Sequence, residues 1–217
     1  MSRTIAIGDI HGCATALAAL LRAIDPKPSD TLVLIGDYVD RGSQSADVLE
    51  MLVTLVSHCQ VVPLIGNHEI MMVNALKTKR DLEYWRQNGG IPTIQSYGGR
   101  INNIPQHHIM FLNHCVRFFE SANHFFVHAN YDADLDFDQQ PGDLLFWTHI
   151  FDEPPLPHFS GKKAIIGHTP QSDFEIRDLG HLALIDTYCV GGGWLSAIDV
   201  DSNKIWQTNL YGETREL

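Results

Sequence analysis

The first half of the chain alternates short apolar runs with segments long enough to form helices. Strand-like runs at residues 4–7, 31–35 and 61–65 are separated by helix-like segments at 14–24 and 45–58. Parallel strands need crossover connections that are usually helical, so this βαβαβ order predicts a largely buried parallel sheet. In such sheets, function is expected at the loops that follow the strands.

The second half has a different pattern. We expect a long helix at 69–86, which Gly89-Gly90 interrupts, and a short helix at 105–113. A proline-rich, acidic loop is expected at 137–160. Strands are predicted at 116–120, 124–127, 164–166, 182–185, 195–200 and 204–208, and the last four suggest a second sheet. The fold class is therefore α/β, in a single domain over residues 1–217.

Composition argues against several classes of protein. The net charge is −11 with histidine neutral and no basic run is present, so we expect no binding to nucleic acid or to an anionic membrane. No apolar run is long enough to span a bilayer, and the first residues lack the pattern of a secretory signal, so the cytoplasm is the expected location. Four scattered cysteines without CxxC spacing suggest reduced thiols.

Metal-ligating side chains follow five of the apolar runs. The segments GDIHG (8–12), GDYVDRG (36–42) and GNHE (66–69) each place glycine and then polar residues after a strand, and His128 and His168 follow two later runs. Glycine permits a tight turn with close backbone approach, so these side chains are predicted to meet in one cleft. A mixed set of Asp, His and Asn ligands suits Mn²⁺, Fe or Zn²⁺ better than Ca²⁺ or a thiolate-bound zinc.

The ordered set GDIHG, GDYVDRG, GNHE, HAN and GHT resembles the phosphoprotein phosphatase branch of the calcineurin-like metallophosphoesterases, in which HGG or HAG is usual where HAN stands here. The stretch WRQNGG at 85–90, followed by Thr93, is similar to bacterial and phage-lambda-type serine/threonine protein phosphatases. The resemblance extends from about residue 5 to about residue 200. It implies a two-sheet β-sandwich flanked by helices and a centre of two divalent metal ions, with Mn²⁺ foremost and Fe, Zn²⁺ or Co²⁺ as alternatives.

By this resemblance, six side chains would be metal ligands. Asp9 and His11 would bind the first ion, Asp37 would bridge both, and Asn67, His128 and His168 would complete the second. Two cations about 3.5–4 Å apart lower the pKa of a shared water, so a bridging hydroxide could attack phosphorus directly, without a covalent enzyme intermediate.

Three neighbouring residues have predicted roles in catalysis. His68 could protonate the departing alkoxide as general acid, with Asp40 orienting its ring. The planar fork of Arg41 suits two phosphate oxygens, and Asn67 is a second expected substrate contact. The alternatives are a histidine that supports the site without transferring a proton and an Asp40–Arg41 ion pair that is only structural. Glu69 is expected to cap the helix that follows.

The chain departs from the family's pattern at three places. Relatives typically bring another arginine to the phosphate, whereas residues 144–149 contain none, and His149 is the candidate to replace it as a substrate contact. Asn130 and Tyr188 stand where glycine is usual, which bears on substrate preference. The other histidines are interpreted as ordinary surface or loop residues: His58, His107, His108, His114, His124, His158 and His181.

Three functions follow as hypotheses. The first is a phosphomonoesterase, foremost a serine/threonine protein phosphatase, that acts on a phosphoprotein or a small phosphoester. The second keeps the metal chemistry but hydrolyses diadenosine tetraphosphate symmetrically, which requires room for two nucleotides. The third is a catalytically silent metal-binding or phosphate-binding protein, in which the absent arginine marks a loss of turnover.

Overall fold

The computed structural model describes residues 2–151 and 153–215 of the chain, and within these ranges it contains seven α-helices and eleven strands. The helices are α1 Ala14–Ile24, α2 Ser45–Leu55, α3 Asn67–Ala75, α4 Lys79–Trp85, α5 Ile91–Ser96, α6 Gln106–Asn113 and α7 Gly142–Trp147. The strands are β1 Thr4–Ile7, β2 Thr31–Leu34, β3 Gln60–Pro63, β4 Phe118–Glu120, β5 His124–Val127, β6 Lys163–Ile166, β7 Arg177–Asp178, β8 Leu182–Leu184, β9 Leu195–Asp199, β10 Ile205–Thr208 and β11 Thr214–Arg215.

The strands form two mixed sheets. The first has the order β11-β10-β9-β1-β2-β3, with β1, β2 and β3 parallel and β9, β10 and β11 antiparallel to their neighbours. The second has the order β4-β5-β6-β8-β7, with β5, β6 and β8 parallel. The predicted α/β fold, with a βαβαβ first half and two sheets flanked by helices, is confirmed.

The alternation of side chains along each strand divides the hydrophobic core into three layers. Ile5 and Ile7 of β1 pack with side chains of α1 and α2. Ala6, between them, joins a cluster with Phe126 of β5, which lies between the two sheets. A third cluster, which includes Leu145 of α7, covers the other face of the second sheet. Because successive side chains point to opposite faces of a strand, both faces of both sheets are buried.

Two of the predicted elements are wrong in extent. The helix predicted at 69–86 is two helices, α3 and α4, because Thr78 caps α4: its Oγ1 accepts a hydrogen bond from the Asp81 backbone N–H at 3.1 Å. The predicted interruption at Gly89 is present, since that residue has a φ of 104°. The loop predicted at 137–160 contains α7 and a 3₁₀ turn at Phe137–Gln139.

The predicted second sheet is present and contains β6 and β8, but the assignment of the last two predicted strands to it is wrong. β9 pairs antiparallel with β1, and β10 pairs with β9, so both extend the first sheet. The strands β7 and β11 were not predicted, since two residues are too short for a recognisable alternation. Within the described ranges, no helix has the length and hydrophobicity that a bilayer crossing requires. The four cysteines are free thiols, as expected.

Candidate metal centre

Five strands lead into one cluster of polar side chains. β1 is followed by Asp9 and His11, β2 by Asp37, β3 by Asn67, β5 by His128 and β6 by His168. All six side chains are buried, with between 0% and 7% of their surface exposed. The ligand atoms of His11, Asp37 and His68 converge in one group, and those of Asp37, His128 and His168 converge in a second. Asp37 therefore lies in both groups.

The Asn67 Oδ1 atom lies among four atoms that carry lone pairs. It is 3.2 and 3.3 Å from the two Asp37 oxygens, 3.1 Å from His128 Nε2 and 3.2 Å from His168 Nδ1. Since His128 Nδ1 donates to the Ile35 carbonyl at 2.9 Å, its Nε2 is the unprotonated atom of the neutral ring. Reversing the Asn67 amide would turn its NH₂ group towards these acceptors, whereas a divalent cation would satisfy them with the amide as it stands. This donor set fits such an ion.

His11 is held in the same manner as His128. Its Nδ1 donates to the Val39 carbonyl at 2.9 Å, which leaves Nε2 to face Asp37 Oδ2 at 3.5 Å. Burial lowers the pKa of both His11 and His168 to about 3. Both rings are therefore neutral at pH 7 and can act as ligands.

Asp9, Asp37 and Asp186 are three of the buried carboxyl groups in this region. Burial, and then the charges of Asp186 and Asp37, raise the pKa of Asp9 well above its usual value. Burial likewise raises the pKa of Asp186 to about 7. Buried carboxylates are costly unless positive charge accompanies them, and two divalent ions would supply it.

The structure differs from the sequence-based prediction of site residues at Asp9 and Asp186. Asp9 is not in either group of converging ligand atoms; both its oxygens accept the His168 backbone N–H, at 3.2 and 3.0 Å. Its role as a ligand stays a prediction. Asp186 was missed as a site residue, although it follows β8 as the other polar side chains follow their strands.

His68 forms a buried pair with Asp40. Its Nδ1 lies 2.7 Å from Asp40 Oδ2, and the other partners of the Asp40 carboxylate are Trp85 Nε1, at 3.0 and 2.8 Å, and Thr93 Oγ1, at 2.8 Å. Burial opposes the charged ring, but Asp37 and the bond to Asp40 outweigh it and raise the pKa of His68. Trp85 and Thr93 belong to the segment that resembles serine/threonine phosphatases, and the sequence predicts no role for either.

The Arg41 side chain contacts the ligand cluster and does not pair with Asp40. One terminal nitrogen donates to His11 Nε2 at 3.0 Å and the other to His68 Nε2 at 3.2 Å. The guanidinium thus contacts two of the three side chains of the first group of ligand atoms. Asp40 has other partners, so the alternative of an Asp40–Arg41 structural pair is not what these side chains form. His149 stacks on His168, with ring centroids 4.1 Å apart and planes 14° apart.

Glu69 links the start of α3 to the loop that carries Asp37. Its Oε2 accepts the Gly66 N–H at 3.0 Å, the capping contact that the sequence predicted, and also the Asp37 N–H at 2.8 Å. Its Oε1 accepts the Tyr38 N–H at 2.8 Å. The carboxylate thereby fixes the backbone on which Asp37 stands.

Backbone strain is concentrated in this cluster. Among the described residues, nine other than glycine have a positive φ, and five of these are predicted site residues: His11, Asp37, Asp40, Arg41 and His168, with φ between 45° and 74°. Such conformations cost on the order of 1–3 kcal/mol each and persist where the surroundings enforce them. Tyr188 also has a positive φ, of 59°, a conformation that glycine adopts without steric cost.

His108 contradicts the surface or loop interpretation, since it lies in α6 and is 2% exposed. His158 lies in a loop, as predicted, although it is only 3% exposed. A groove of about 630 Å³ between α4, α5 and residues 99–103 is lined by none of the predicted ligands. Pocket size alone therefore does not locate the metal cluster.

Comparison with known proteins agrees with the geometry. The sequence profile of the family described as calcineurin-like phosphoesterase matches residues 2–182. Serine/threonine-protein phosphatase 2 of Salmonella typhimurium is 36% identical over 85 residues, which are 39% of this chain and 37% of that protein. The symmetrical bis(5'-nucleosyl)-tetraphosphatase of Acidovorax ebreus is 46% identical over 70 residues, which are 32% of this chain and 24% of that protein. The matched segments thus span well under two thirds of these relatives.

Solved structures share the fold. One whose assignment as a diadenosine tetraphosphatase is provisional has a TM-score of 0.71 at 24% identity and covers 95% of this chain and 92% of its own. A cold-active protein-tyrosine phosphatase of a psychrophilic Shewanella has a TM-score of 0.69 at 17% identity and covers 98% of this chain and 79% of its own. Since the family profile matches most of its length, the chain belongs to the calcineurin-like phosphoesterases, metal-dependent hydrolases of phosphoric esters with a dinuclear centre.

Proposed function

We propose that this chain is a phosphomonoesterase that hydrolyses phosphoserine and phosphothreonine in proteins. The observation that carries the proposal is the His68–Asp40 pair, whose Nδ1 and Oδ2 atoms are 2.7 Å apart beside the ligand cluster. A monoester of serine leaves as a strongly basic alkoxide, which an acid at this position assists. The likeness to a serine/threonine phosphatase supports the same choice.

In this proposal the ligands are the six predicted residues: Asp9, His11, Asp37, Asn67, His128 and His168. Two divalent ions bound by them, with Mn²⁺ foremost, would neutralise charge on the phosphate and lower the pKa of a shared water. His128 and His11 keep their lone pairs directed at the cluster through their bonds to backbone carbonyls.

The remaining side chains bind substrate and move a proton. The two terminal nitrogens of Arg41 suit two phosphate oxygens, and Asn67 is the second contact. A phosphate bound to the two terminal nitrogens of Arg41 moves the guanidinium away from His68 Nε2. This nitrogen can then hold the proton for the leaving oxygen. Asp40 keeps the ring in the orientation that this transfer needs.

The test is hydrolysis of a phosphoserine peptide and of para-nitrophenyl phosphate, with and without Mn²⁺. We expect turnover of both in the presence of Mn²⁺ and none after Asp37→Asn. Asp25→Asn is the matched control, because Asp25 is exposed and pairs with Lys27 at the surface. A metal-loaded protein that binds phosphate but turns over neither substrate would favour the catalytically silent alternative.

A second candidate is the symmetrical hydrolysis of diadenosine tetraphosphate. The observation that favours it is a series of stacked rings: Phe151 lies on His149, with centroids 5.0 Å apart, and His149 lies on His168. Phe151 is 62% exposed, so its face is open to a nucleobase. The identity to a symmetrical tetraphosphatase points the same way.

Comparison of initial rates on the dinucleotide and on the phosphopeptide separates the two candidates. If the dinucleotide is the better substrate, Phe151→Ala should raise its KM and leave para-nitrophenyl phosphate hydrolysis unchanged. Phe159→Ala is the control, since Phe159 is similarly exposed, at 60%, and packs on His158.

A further inference from the structure

A second cluster of metal-ligating side chains lies between α2 and α6. The Nε2 atoms of His107 and His108 lie 2.9 and 3.1 Å from Oε2 of Glu50. All three ligand atoms are within 4.8 Å of one another. None of these residues belongs to the dinuclear cluster, and no sequence pattern groups them, since Glu50 is more than fifty positions from both histidines.

One ligand of this cluster is fixed in place and two are open to solvent. The His108 side chain is 3% exposed, and its Nδ1 lies 2.7 Å from the Tyr97 hydroxyl. Metal-binding histidines usually have such a partner on the second nitrogen, because it sets the tautomer and the ring orientation. The side chains of His107 and Glu50 are 50% and 61% exposed, so an ion can reach them from solvent.

The two imidazoles share a single carboxylate oxygen instead of taking one oxygen each. Without an ion, each Nε2–H donates to Glu50 Oε2; a cation at the same point would replace both protons. A tetrahedral Zn²⁺ with bonds of about 2.0–2.1 Å holds its ligand atoms about 3.4 Å apart. This is a few tenths of an ångström more than the two nitrogen–oxygen separations here. Two nitrogens and one carboxylate suit Zn²⁺ and its transition-metal neighbours rather than Mg²⁺ or Ca²⁺.

We propose that Glu50, His107 and His108 form a transition-metal site of the Zn²⁺ type, separate from the dinuclear centre, that ties α2 to α6. Water completes its coordination on the exposed side. The bound ion would stabilise the packing of the helices on one face of the first sheet, because α2 and α6 both pack into the cluster that contains Ile5 and Ile7.

The experiment counts metal ions on the full chain. Protein saturated with Mn²⁺ is dialysed to equilibrium against micromolar Zn²⁺, and total bound metal per chain is measured by elemental analysis. We expect the wild type to hold one more equivalent than His107→Ala or Glu50→Gln. Because total metal is counted, exchange of Mn²⁺ for Zn²⁺ in the dinuclear centre does not alter this difference.

His114→Ala is the control, since His114 is an exposed histidine at the end of the same helix, α6. It should retain the extra equivalent, and the wild type and this control should gain more thermal stability with Zn²⁺ than the two ligand variants do. Both ligand substitutions are at exposed positions, and circular dichroism verifies that the variants are folded. Equal metal content in wild type and both ligand variants would overturn the proposal.

Discussion

At the scale of single residues, the proposal depends most on His68. Replacing it with asparagine preserves polarity but removes the acid, so we expect kcat on a phosphoserine peptide to fall about 10²–10⁴-fold. The fall on para-nitrophenyl phosphate should be much smaller, because nitrophenolate leaves without a proton. The measurement is kcat for the two substrates on the same preparations.

The pH dependence of His68 gives a separate prediction. Its pKa is raised, so the protonated ring persists to higher pH than in an ordinary histidine, and it is lost as the pH rises through that raised value. Activity on phosphoserine should therefore decline on the alkaline side, and His68→Asn should lack this decline. If the variant keeps the same alkaline limb as the wild type, another group is responsible for it.

At the scale of elements, the turns after β3 and β6 leave no room for a side chain at two glycines. A Cβ on Gly66 would lie 2.2 Å from Asp37 Oδ1, and one on Gly167 would lie 2.1 Å from Asp9 Oδ1. Gly66→Ala should therefore displace Asp37 and lower kcat/KM by about 10²-fold or more, since shifts near 1 Å have that effect. Gly142→Ala is the control: its Cβ would meet nothing closer than 3.7 Å, and its activity should be unchanged.

The helices α2 and α5 together hold the loop of Asp40. The Asp40 N–H lies 2.9 Å from Thr93 Oγ1 and 3.2 Å from Ser45 Oγ, and Thr93 Oγ1 also donates to the carboxylate. Thr93→Val leaves these buried groups short of a partner, so we expect a loss of about 1–3 kcal/mol in the free energy of unfolding. Urea denaturation with an unchanged m-value measures it, and Thr54→Val, at an exposed site on α2, should stay close to the wild type.

At the scale of the whole molecule, folding and metal binding are linked through the buried carboxylates. Divalent ion present at 100 times its Kd stabilises the folded chain by about 2.7 kcal/mol, or roughly 5–11 °C in Tm for a chain of this size. Calorimetry with Mn²⁺ and with a chelator measures this difference. Asp37→Asn should abolish most of it, and a full metal-dependent gain in that variant would show that the ions bind elsewhere.

We infer that residues 1–217 form one domain, of which residues 1, 152, 216 and 217 lie outside the described part. The reason is that β9 and β10, from the last part of the chain, extend the sheet that begins with β1. Unfolding should then be a single transition with equal calorimetric and van't Hoff enthalpies. Two separate transitions would contradict the inference.

The sequence by itself determined the parts of the protein that depend on local signals. Alternating apolar runs placed β1, α1, β5 and most other elements, because the side-chain period of a strand or helix is a local property. The polar residues after those strands were recognisable for the same reason: glycine and a ligand directly after an apolar run is a short pattern. It indicated the convergence of His11, Asp37, Asn67, His128 and His168.

Only the tertiary structure decided what depends on contacts between distant segments. Thr93 bonds to Asp40 from 53 positions away, and Asp186 joins the carboxylates near Asp9 through the second sheet. The sheet that β9 joins was likewise undetermined, because its apolar pattern suits either sheet. Only its pairing with β1 and its contacts with α1 select the first sheet. A pattern within one segment carries no information about which other segment will cover it, and that choice is made by packing in three dimensions.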